Sequence, residues 1–386
     1  MGKDNQVIRV GFICAYSNEW IAGLNYLYNL LYAISLLEDK KIKPVVFMGK
    51  KTDDKIKKMF TPLAEIVEHS MFDRKSLNWY IKRILEKYFN SSFCIERLIA
   101  KYQVQVLSHT NITNLKTCKI INWIPDFQHL HLPEMFSQAE VQSRNHLFNN
   151  IVSLSDLIIV SSQDAWNDLA KFAPSFIGKA RILRFVAKPS ERYQQLNQKD
   201  KVAIIKKYNL PDAFFYLPNQ FWKHKNHLTV FAAIKILKNQ GINVNLVCSG
   251  QMSDYRNPEH VDNLRNYIEQ NNLKSQIWLL GMIEYEDVYT LIKFSKAVIN
   301  PSLFEGWSST VEECKSVNKP MILSDLSVHK EQYSAANFFM KDNPNELANI
   351  LKSFNDCVDQ DFSFDWKEQS KKFAQEYENI ILQLGK

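Results

Sequence analysis

The segment Asn300-Pro301-Ser302-Leu303-Phe304-Glu305-Gly306-Trp307-Ser308-Ser309-Thr310-Val311-Glu312-Glu313 sets carboxylates, a glycine and a run of hydroxyls between an apolar strand and a helix. The strand reads from Ala297 to Asn300, and the helix is expected to start near Ser309 or Thr310. N–H groups in a helix's first turn lack internal partners and sit at the positive end of its dipole. They can hold an anion such as a diphosphate. Ser308, Ser309 and Thr310 are the candidates for that contact, with Gly306 and Trp307 on the approach loop. Glu305 would reach sugar hydroxyls, and Glu313, one turn into the helix, would accept bonds from ribose hydroxyls. A plainer reading uses the same spacing. Both Ser309-x-x-Glu312 and Thr310-x-x-Glu313 match a capping box, in which a glutamate only satisfies backbone N–H groups. Spacing alone leaves the two open.

Further chemistry-bearing residues fall at other strand ends. Lys223, His224 and Lys225 follow the apolar run Phe214 to Leu217. Glycine is scarce, at ten residues where an ordinary composition of this length would hold about 27. Gly23, Gly250, Gly281 and Gly306 each follow a strand-like run, where a backbone can approach a ligand closely. Asp126, His129 and His131 crowd into six residues after the strand Ile120 to Ile124, and His109 ends another. Such loops suit function. A metal site built from Asp126, His129 and His131 is conceivable, but none is expected.

These residues need a scaffold. Apolar strand-like runs alternate with amphipathic helical runs along the chain, which predicts an α/β architecture of parallel sheets covered by helices. The strands expected are Ile8–Cys14, 45–48, 104–107, 120–124, 157–160 and 180–186, then 214–217, 244–248, 277–280, 297–300 and 321–323. The polar run Lys188 to Lys207 separates the two series. Two doubly wound domains follow, each binding ligands outside the carboxyl ends of its strands. The divisions are 1–190, 191–363 and a tail helix 364–386.

Composition narrows the class. With 386 residues, 46% apolar and 23% charged, the chain can bury large cores. No secretory signal and no run of about 18 apolar residues is read, so a cytoplasmic protein without a spanning helix is expected. Six scattered cysteines without a C-x-x-C pair read as reduced, buried small hydrophobes. The net charge is +7, and residues 50–87 hold ten Lys/Arg against six Asp/Glu. There Leu77, Tyr80, Ile81, Ile84, Leu85 and Tyr88 repeat at helical spacing among Arg74, Lys75, Lys82, Arg83 and Lys87. The preferred reading is a helix packed on its own domain with a solvated basic face. The alternative is a peripheral contact with an anionic membrane surface. No nucleic-acid motif accompanies the charge, so no nucleic-acid partner is expected.

The spacing Glu305-x7-Glu313, with Gly306 directly after the first glutamate, resembles the E-x7-E signature of the retaining glycosyltransferases of family 4 (glycosyl transferases group 1). The continuation Cys314 to Asp325 resembles that family's helix, turn and next strand, with Asn318 in place of its glycine. Asn tolerates the left-handed geometry such a position needs. The resemblance covers Phe214 to about Phe354 well and the N-terminal half more weakly. It implies a GT-B fold, with two Rossmann-like domains facing each other across a cleft and the C-terminal helix packing back toward the N-terminal domain. It also implies a nucleotide-diphosphate sugar as donor, a glycan or lipid-linked acceptor, no cofactor and no required metal.

By residue, the resemblance gives Glu305 to the donor sugar, Glu313 to the ribose, Lys225 to the diphosphate and Glu331 to a family carboxylate. Ile283, beside Met282 on the loop after Gly281, falls where the base is held by backbone groups. Asp126 and His129 fall beside the reacting carbon. Trp20 to Asn25 falls where the family has a paired-glycine loop, with Ala22 replacing the first glycine and Gly23 keeping the second. Gln220 stands where the family has an arginine, and Lys223 or His224 would have to replace its charge. The function expected is retaining sugar transfer in bacterial surface polysaccharide or lipopolysaccharide synthesis. A non-catalytic subunit of this fold and a sugar-nucleotide epimerase are the alternatives.

Overall fold

The computed structural model describes residues 7–14, 21–89, 91–112, 115–354 and 364–385. The chain forms two compact units. Unit 1 comprises residues 1–127, 142–186 and 367–386, and unit 2 comprises 128–141 and 187–366. The switch thus falls at 186/187 and again at 366/367. The segment Gln128–Val141, assigned by sequence order to the first domain, clusters instead with unit 2.

Unit 1 carries seven strands: β1 (Ile8–Cys14), β2 (Ile42–Met48), β3 (Glu65–Glu68), β4 (Val106–Ser108), β5 (Lys119–Ile124), β6 (Leu157–Val160) and β7 (Ala180–Ile182). Their order is β3-β2-β1-β4-β5-β6-β7, and every pairing is parallel. A parallel sheet covered on both faces demands apolar residues without alternation. Val45 to Met48 and Leu157 to Val160 obey this, each an unbroken run of buried side chains. The helix Trp366–Leu382 belongs to this unit as well. It buries Phe373, Ala374, Tyr377, Ile380 and Ile381. Glu378 Oε1 accepts a 2.8 Å bond from the Lys41 N–H at the entry to β2, and the Tyr377 ring packs 6.2 Å from that of Phe12 on β1. The expected return of the C-terminal helix is therefore present.

Unit 2 repeats the plan with β8 (Phe215–Leu217), β9 (Leu246–Cys248), β10 (Ile277–Leu279), β11 (Val298–Asn300), β12 (Met321–Ser324) and β13 (Asn337–Phe339). The order is β10-β9-β8-β11-β12-β13, again parallel. The strand order reverses between β1 and β4 in one unit and between β8 and β11 in the other. In doubly wound sheets ligands bind outside the carboxyl ends of the strands at such a reversal.

Three expectations change. β3 and β13 were not foreseen; each lies at a sheet edge with a single neighbour. β7 ends at Ile182 rather than Val186. The helix Leu77–Phe89 forms as predicted, but not one of its residues is buried. Its half-buried residues are Trp79, Lys82, Leu85 and Glu86, while Leu77, Tyr80, Ile81, Ile84 and Tyr88 face water. The preferred reading, a helix packed on its own domain with a solvated basic face, holds in part: Arg83 and Lys87 are solvated, but the packed face is not the apolar stripe. Cys14, Cys248 and Cys314 are buried, as expected, whereas Cys94 and Cys118 are only half-buried; Cys357 lies outside the described residues.

Candidate active site

The carboxyl ends of β8 and β11 are tied together by a buried polar chain. Asn219 Nδ2 donates to Asn300 Oδ1 (3.0 Å), and Ser302 Oγ donates to the same oxygen (2.8 Å). Asn300 Nδ2 donates to Ser308 Oγ (2.9 Å). Asn219, Asn300, Ser302 and Ser308 are all buried, so each bond replaces water that is no longer available. The network fixes the loop between Asn300 and Ser308 in which Glu305 stands.

Lys225 approaches Glu305 from the β8 side. It ends a single helical turn, Lys223–Lys225, that passes into the helix His227–Asn239 through Asn226. Asn226 takes the left-handed conformation (φ 56°) and anchors the corner by donating from Nδ2 to the carbonyls of Pro301 and Lys341. Lys225 Nζ then meets Glu305 Oε1 at 2.6 Å, and Ser302 Oγ, whose one proton is shared between this oxygen and Asn300 Oδ1, stands 2.6 Å away. The Glu305 side chain is only 9% exposed. Burial is the largest influence and pushes its carboxyl up, but the Lys225 charge, the His329 ring and the bonds from Lys225 and Ser302 together outweigh it and hold the group at about 2. His329 is buried nearby, with Nδ1 donating to the Ser324 carbonyl (2.9 Å); burial pushes its pKa down, toward the neutral form.

The helix Ser309–Lys315 begins differently from either capping-box expectation. Its N-cap is Ser308, whose Oγ accepts from the Val311 N–H, and Val311 occupies the position a capping-box glutamate would take. Gln332 clamps the same residue from the other side. It accepts from the Ser308 N–H (3.0 Å) and donates to the Ser308 carbonyl (2.8 Å) and to Glu312 Oε1 (2.9 Å). Glu312 is wholly buried and paired with Lys315 at 2.9 Å. Neither glutamate caps the helix. Ser308 is committed to the fold, Thr310 Oγ1 bonds Asn219 (3.3 Å), and Ser309 is exposed.

Glu313 is half-buried and accepts a 3.2 Å bond from the hydroxyl of Tyr285. Burial raises its carboxyl to about 7, against a smaller opposing effect of that bond. Tyr285 opens the helix after the loop that holds Met282, which is exposed, and Ile283, which leans on the core. Gly250 is required for a specific reason. Its φ is +142°, and a Cβ there would stand 2.3 Å from the Asn219 carbonyl oxygen. Its N–H bonds the Gly281 carbonyl at 2.9 Å, so the loops after β8, β9 and β10 are locked side by side. Asn318 takes φ 54°, the left-handed geometry expected of it.

Residues 198–373 match the family of glycosyl transferases group 1. The match spans just under half of the chain and contains every residue of this network. A UDP-Gal:alpha-D-GlcNAc-diphosphoundecaprenol alpha-1,3-galactosyltransferase of Escherichia coli is 27% identical over 161 residues, covering 42% of this chain and 35% of that protein. The O-antigen chain mannosyltransferase RfbU of Salmonella typhimurium is 23% identical over 168 residues, 43% of this chain and 44% of the relative. The alignments thus span less than half the length of these two relatives. Among solved structures, Anabaena HepE in complex with UDP and glucose superposes with a TM-score of 0.66 at 13% identity, over 98% of both chains. That likeness, shared with WaaG (TM-score 0.61, 10% identity, 97% of this chain and 99% of that one), establishes the GT-B fold.

Against the glycosyl transferase pattern, the uncharged Gln220 keeps its departure. His224 is not the substitute cation. Burial first, and Lys225 second, push its pKa down to about 3, so it is neutral near pH 7. Lys223 is exposed, and its backbone N–H bonds Asp254 Oδ2 at 2.9 Å. Arg256, which no motif singled out, is packed between the rings of Trp222 (4.3 Å) and Phe136 (4.4 Å). Glu331 is half-buried on the short helix Ser327–Gln332.

In unit 1, Gly23 is buried in the first turn of the helix Ile21–Ser35 rather than on a loop; Trp20 lies outside the described residues. His109 follows β4 with φ 58°, its ring nitrogens bonded to Tyr26 Oη (2.9 Å) and Ser108 Oγ (2.7 Å). Asp126 belongs to unit 1, whereas His129 counts with unit 2, wholly buried against Phe136. His131 lies 4.9 Å from the Phe304 ring. Among the described residues no group of three or more His, Cys, Asp or Glu is gathered as metal ligands would be. A depression of about 930 Å³ lined by Arg9, Gln105, Cys118, Lys119 and Asp156 opens at the amino ends of β1, β4 and β5, the edge away from ligands in this fold.

Proposed function

We propose that this protein is a retaining glycosyltransferase that moves a sugar from a nucleotide-diphosphate sugar to a glycan or lipid-linked acceptor. The observation that carries the reading is the Lys225–Glu305 pair, held by buried asparagines at the sheet reversal inside the glycosyl transferase match. In this reading Lys225 faces the diphosphate and offsets the charge that grows on it as the sugar carbon–oxygen bond breaks. The N–H groups of Ser309 and Thr310 add to that field. The ionised Glu305 accepts bonds from sugar hydroxyls, and Glu313 accepts from the ribose. The acceptor oxygen bonds the sugar carbon on the face the diphosphate leaves, and its proton passes to the departing phosphate oxygen. No protein nucleophile, cofactor or metal is invoked.

The lipid-linked acceptor and a role in bacterial surface polysaccharide or lipopolysaccharide synthesis draw support from the printed activities of the two relatives; action on the cytoplasmic side is part of the same proposal. Asp126 and His129 remain the residues assigned to the reacting carbon, and Gly23, Gly250, Ile283, Gly306, Trp307 and Glu331 to the donor. The test is a panel of nucleotide sugars with lipid-diphosphate and oligosaccharide acceptors, followed by anomeric analysis of the product. Transfer with retained configuration, lost in Glu305→Gln, is expected. Absence of nucleotide binding by calorimetry would sink the reading.

One observation favours a second reading, a non-catalytic subunit. Gln220 and the neutral His224 leave Lys225 as the cation that the described contacts bring to Glu305. Nucleotide binding without turnover on the whole panel would select it.

A further inference from the structure

We propose that the helix Leu77–Phe89 docks this protein on an anionic lipid surface. The proposal does not rest on the glycosyl transfer reading. At about 100° per residue, Tyr80, Ile84, Leu77, Tyr88 and Ile81 fall within one arc of about 100°. That arc points to water: Leu77 is 77% exposed, Tyr88 70% and Ile84 50%. Of the eighteen large hydrophobic side chains exposed among the described residues, seven lie between Leu77 and Phe93. Scattered exposed apolar residues are ordinary, but a concentrated stripe marks a contact surface.

The inward face is the unusual one. Trp79, Lys82, Leu85 and Glu86 are half-buried, and Lys82 pairs with Glu86 at 3.3 Å. That pair consumes the helix's one carboxylate. Arg74, Lys75, Arg83 and Lys87 form no ion pair among the described residues. Arg83 rests 5.8 Å from the Trp79 ring and Lys87 5.3 Å from the Tyr88 ring, so both cations stay beside the apolar arc. An apolar stripe flanked by unpaired cations complements acyl chains beneath anionic headgroups. Tyr80 and Tyr88, both exposed, bring rings of the kind that settle at headgroup level. A second copy of the chain is the poorer occupant. A symmetric dimer would set this face against itself and bring Arg83 and Lys87 against their like. No described helix is long and apolar enough to cross a membrane, so the contact is peripheral.

The test uses the full chain and sedimentation with vesicles of phosphatidylcholine alone or with about one third phosphatidylglycerol. Binding to the anionic vesicles and not to the neutral ones is expected, weakening as salt rises. Each basic residue near such a surface is worth roughly fivefold in partitioning. Arg83→Glu/Lys87→Glu should therefore lower partitioning more than about 25-fold, and Ile84→Ser/Tyr88→Ser at least about tenfold. These substitutions change only exposed side chains, and an unaltered thermal unfolding midpoint separates lost docking from lost fold. Arg74→Glu/Lys75→Glu, before the helix, provides the same readout if either double variant unfolds. Wild-type protein that ignores anionic vesicles, or variants that sediment equally well, would overturn the proposal. So would a wild-type dimer that the helix variants turn into monomer.

Discussion

Lys225 Nζ stands 2.6 Å from Glu305 Oε1, and this contact joins the Asn226–Pro301 bond in tying the turn after β8 to the loop after β11. The pair is nearly enclosed, so its members depend on each other. Lys225→Met strands the Glu305 carboxylate without its counter-charge and should destabilise the fold by about 3 kcal/mol. Adding Glu305→Gln to that variant should recover most of the loss. Denaturant unfolding of the wild type, both single variants and the double variant measures the coupling; simple additivity would refute it.

Glu305 also fixes an acid limit. Its carboxyl sits at about 2, below the usual 4.5, because Lys225, His329 and Ser302 together outweigh burial. A depressed folded pKa contributes stability above the unfolded value and loses it as pH falls toward the folded one. Unfolding free energy should drop between pH 4.5 and about 2, and Glu305→Gln should remove that component of the decline.

Glu313 titrates in the opposite sense. Burial lifts it to about 7, so the fold favours its neutral form and that contribution fades as pH rises through 7. A ribose hydroxyl donates best to the ionised carboxylate. Nucleotide affinity is therefore expected to rise from about pH 6 to about pH 8. Glu313→Gln should bind more weakly and flatten the profile in calorimetry; an unchanged profile would remove Glu313 from the ribose.

Gly250→Ala tests the packing of the strand ends. The new methyl would collide with the Asn219 carbonyl and take a backbone conformation strained for any L side chain. A loss of at least about 2 kcal/mol is expected. Asn318→Gly, at φ 54°, should by contrast be nearly neutral, and Asn318→Ala should cost about 1 kcal/mol.

How far these features could be read in advance depended on range. β6 and the second half of β2 announce themselves because fully buried strands need unbroken apolar runs, as in Leu157-Ile158-Ile159-Val160 and Val45 to Met48. Glu65-Ile66-Val67-Glu68 and Asn337-Phe338-Phe339 do not, because an edge strand is short and half-wet. The left-handed turn at Asn318 was legible through the resemblance, which has a glycine there that Asn can replace. The cap at Ser308 was not, because its partner Gln332 lies 24 residues on and only the fold brings it near. The charge missing at Gln220 could be noticed in the sequence, but that His224 is too buried to replace it required the structure. For the helix Leu77–Phe89 the periodicity gave the stripe correctly. Periodicity carries no information about which side of a stripe the neighbours occupy.

The return of the helix Trp366–Leu382 to unit 1 sets an order on assembly. Unit 1, synthesised to residue 186 ahead of most of unit 2, cannot be finished until roughly 200 later residues have followed, about 10–40 s at ordinary synthesis rates. Through that interval the surface destined for Phe373, Tyr377 and Ile381 has no cover. Unit 1 is thus begun before unit 2 yet matures after it, and a premature stop or cut just ahead of Trp366 would undo unit 1 rather than unit 2.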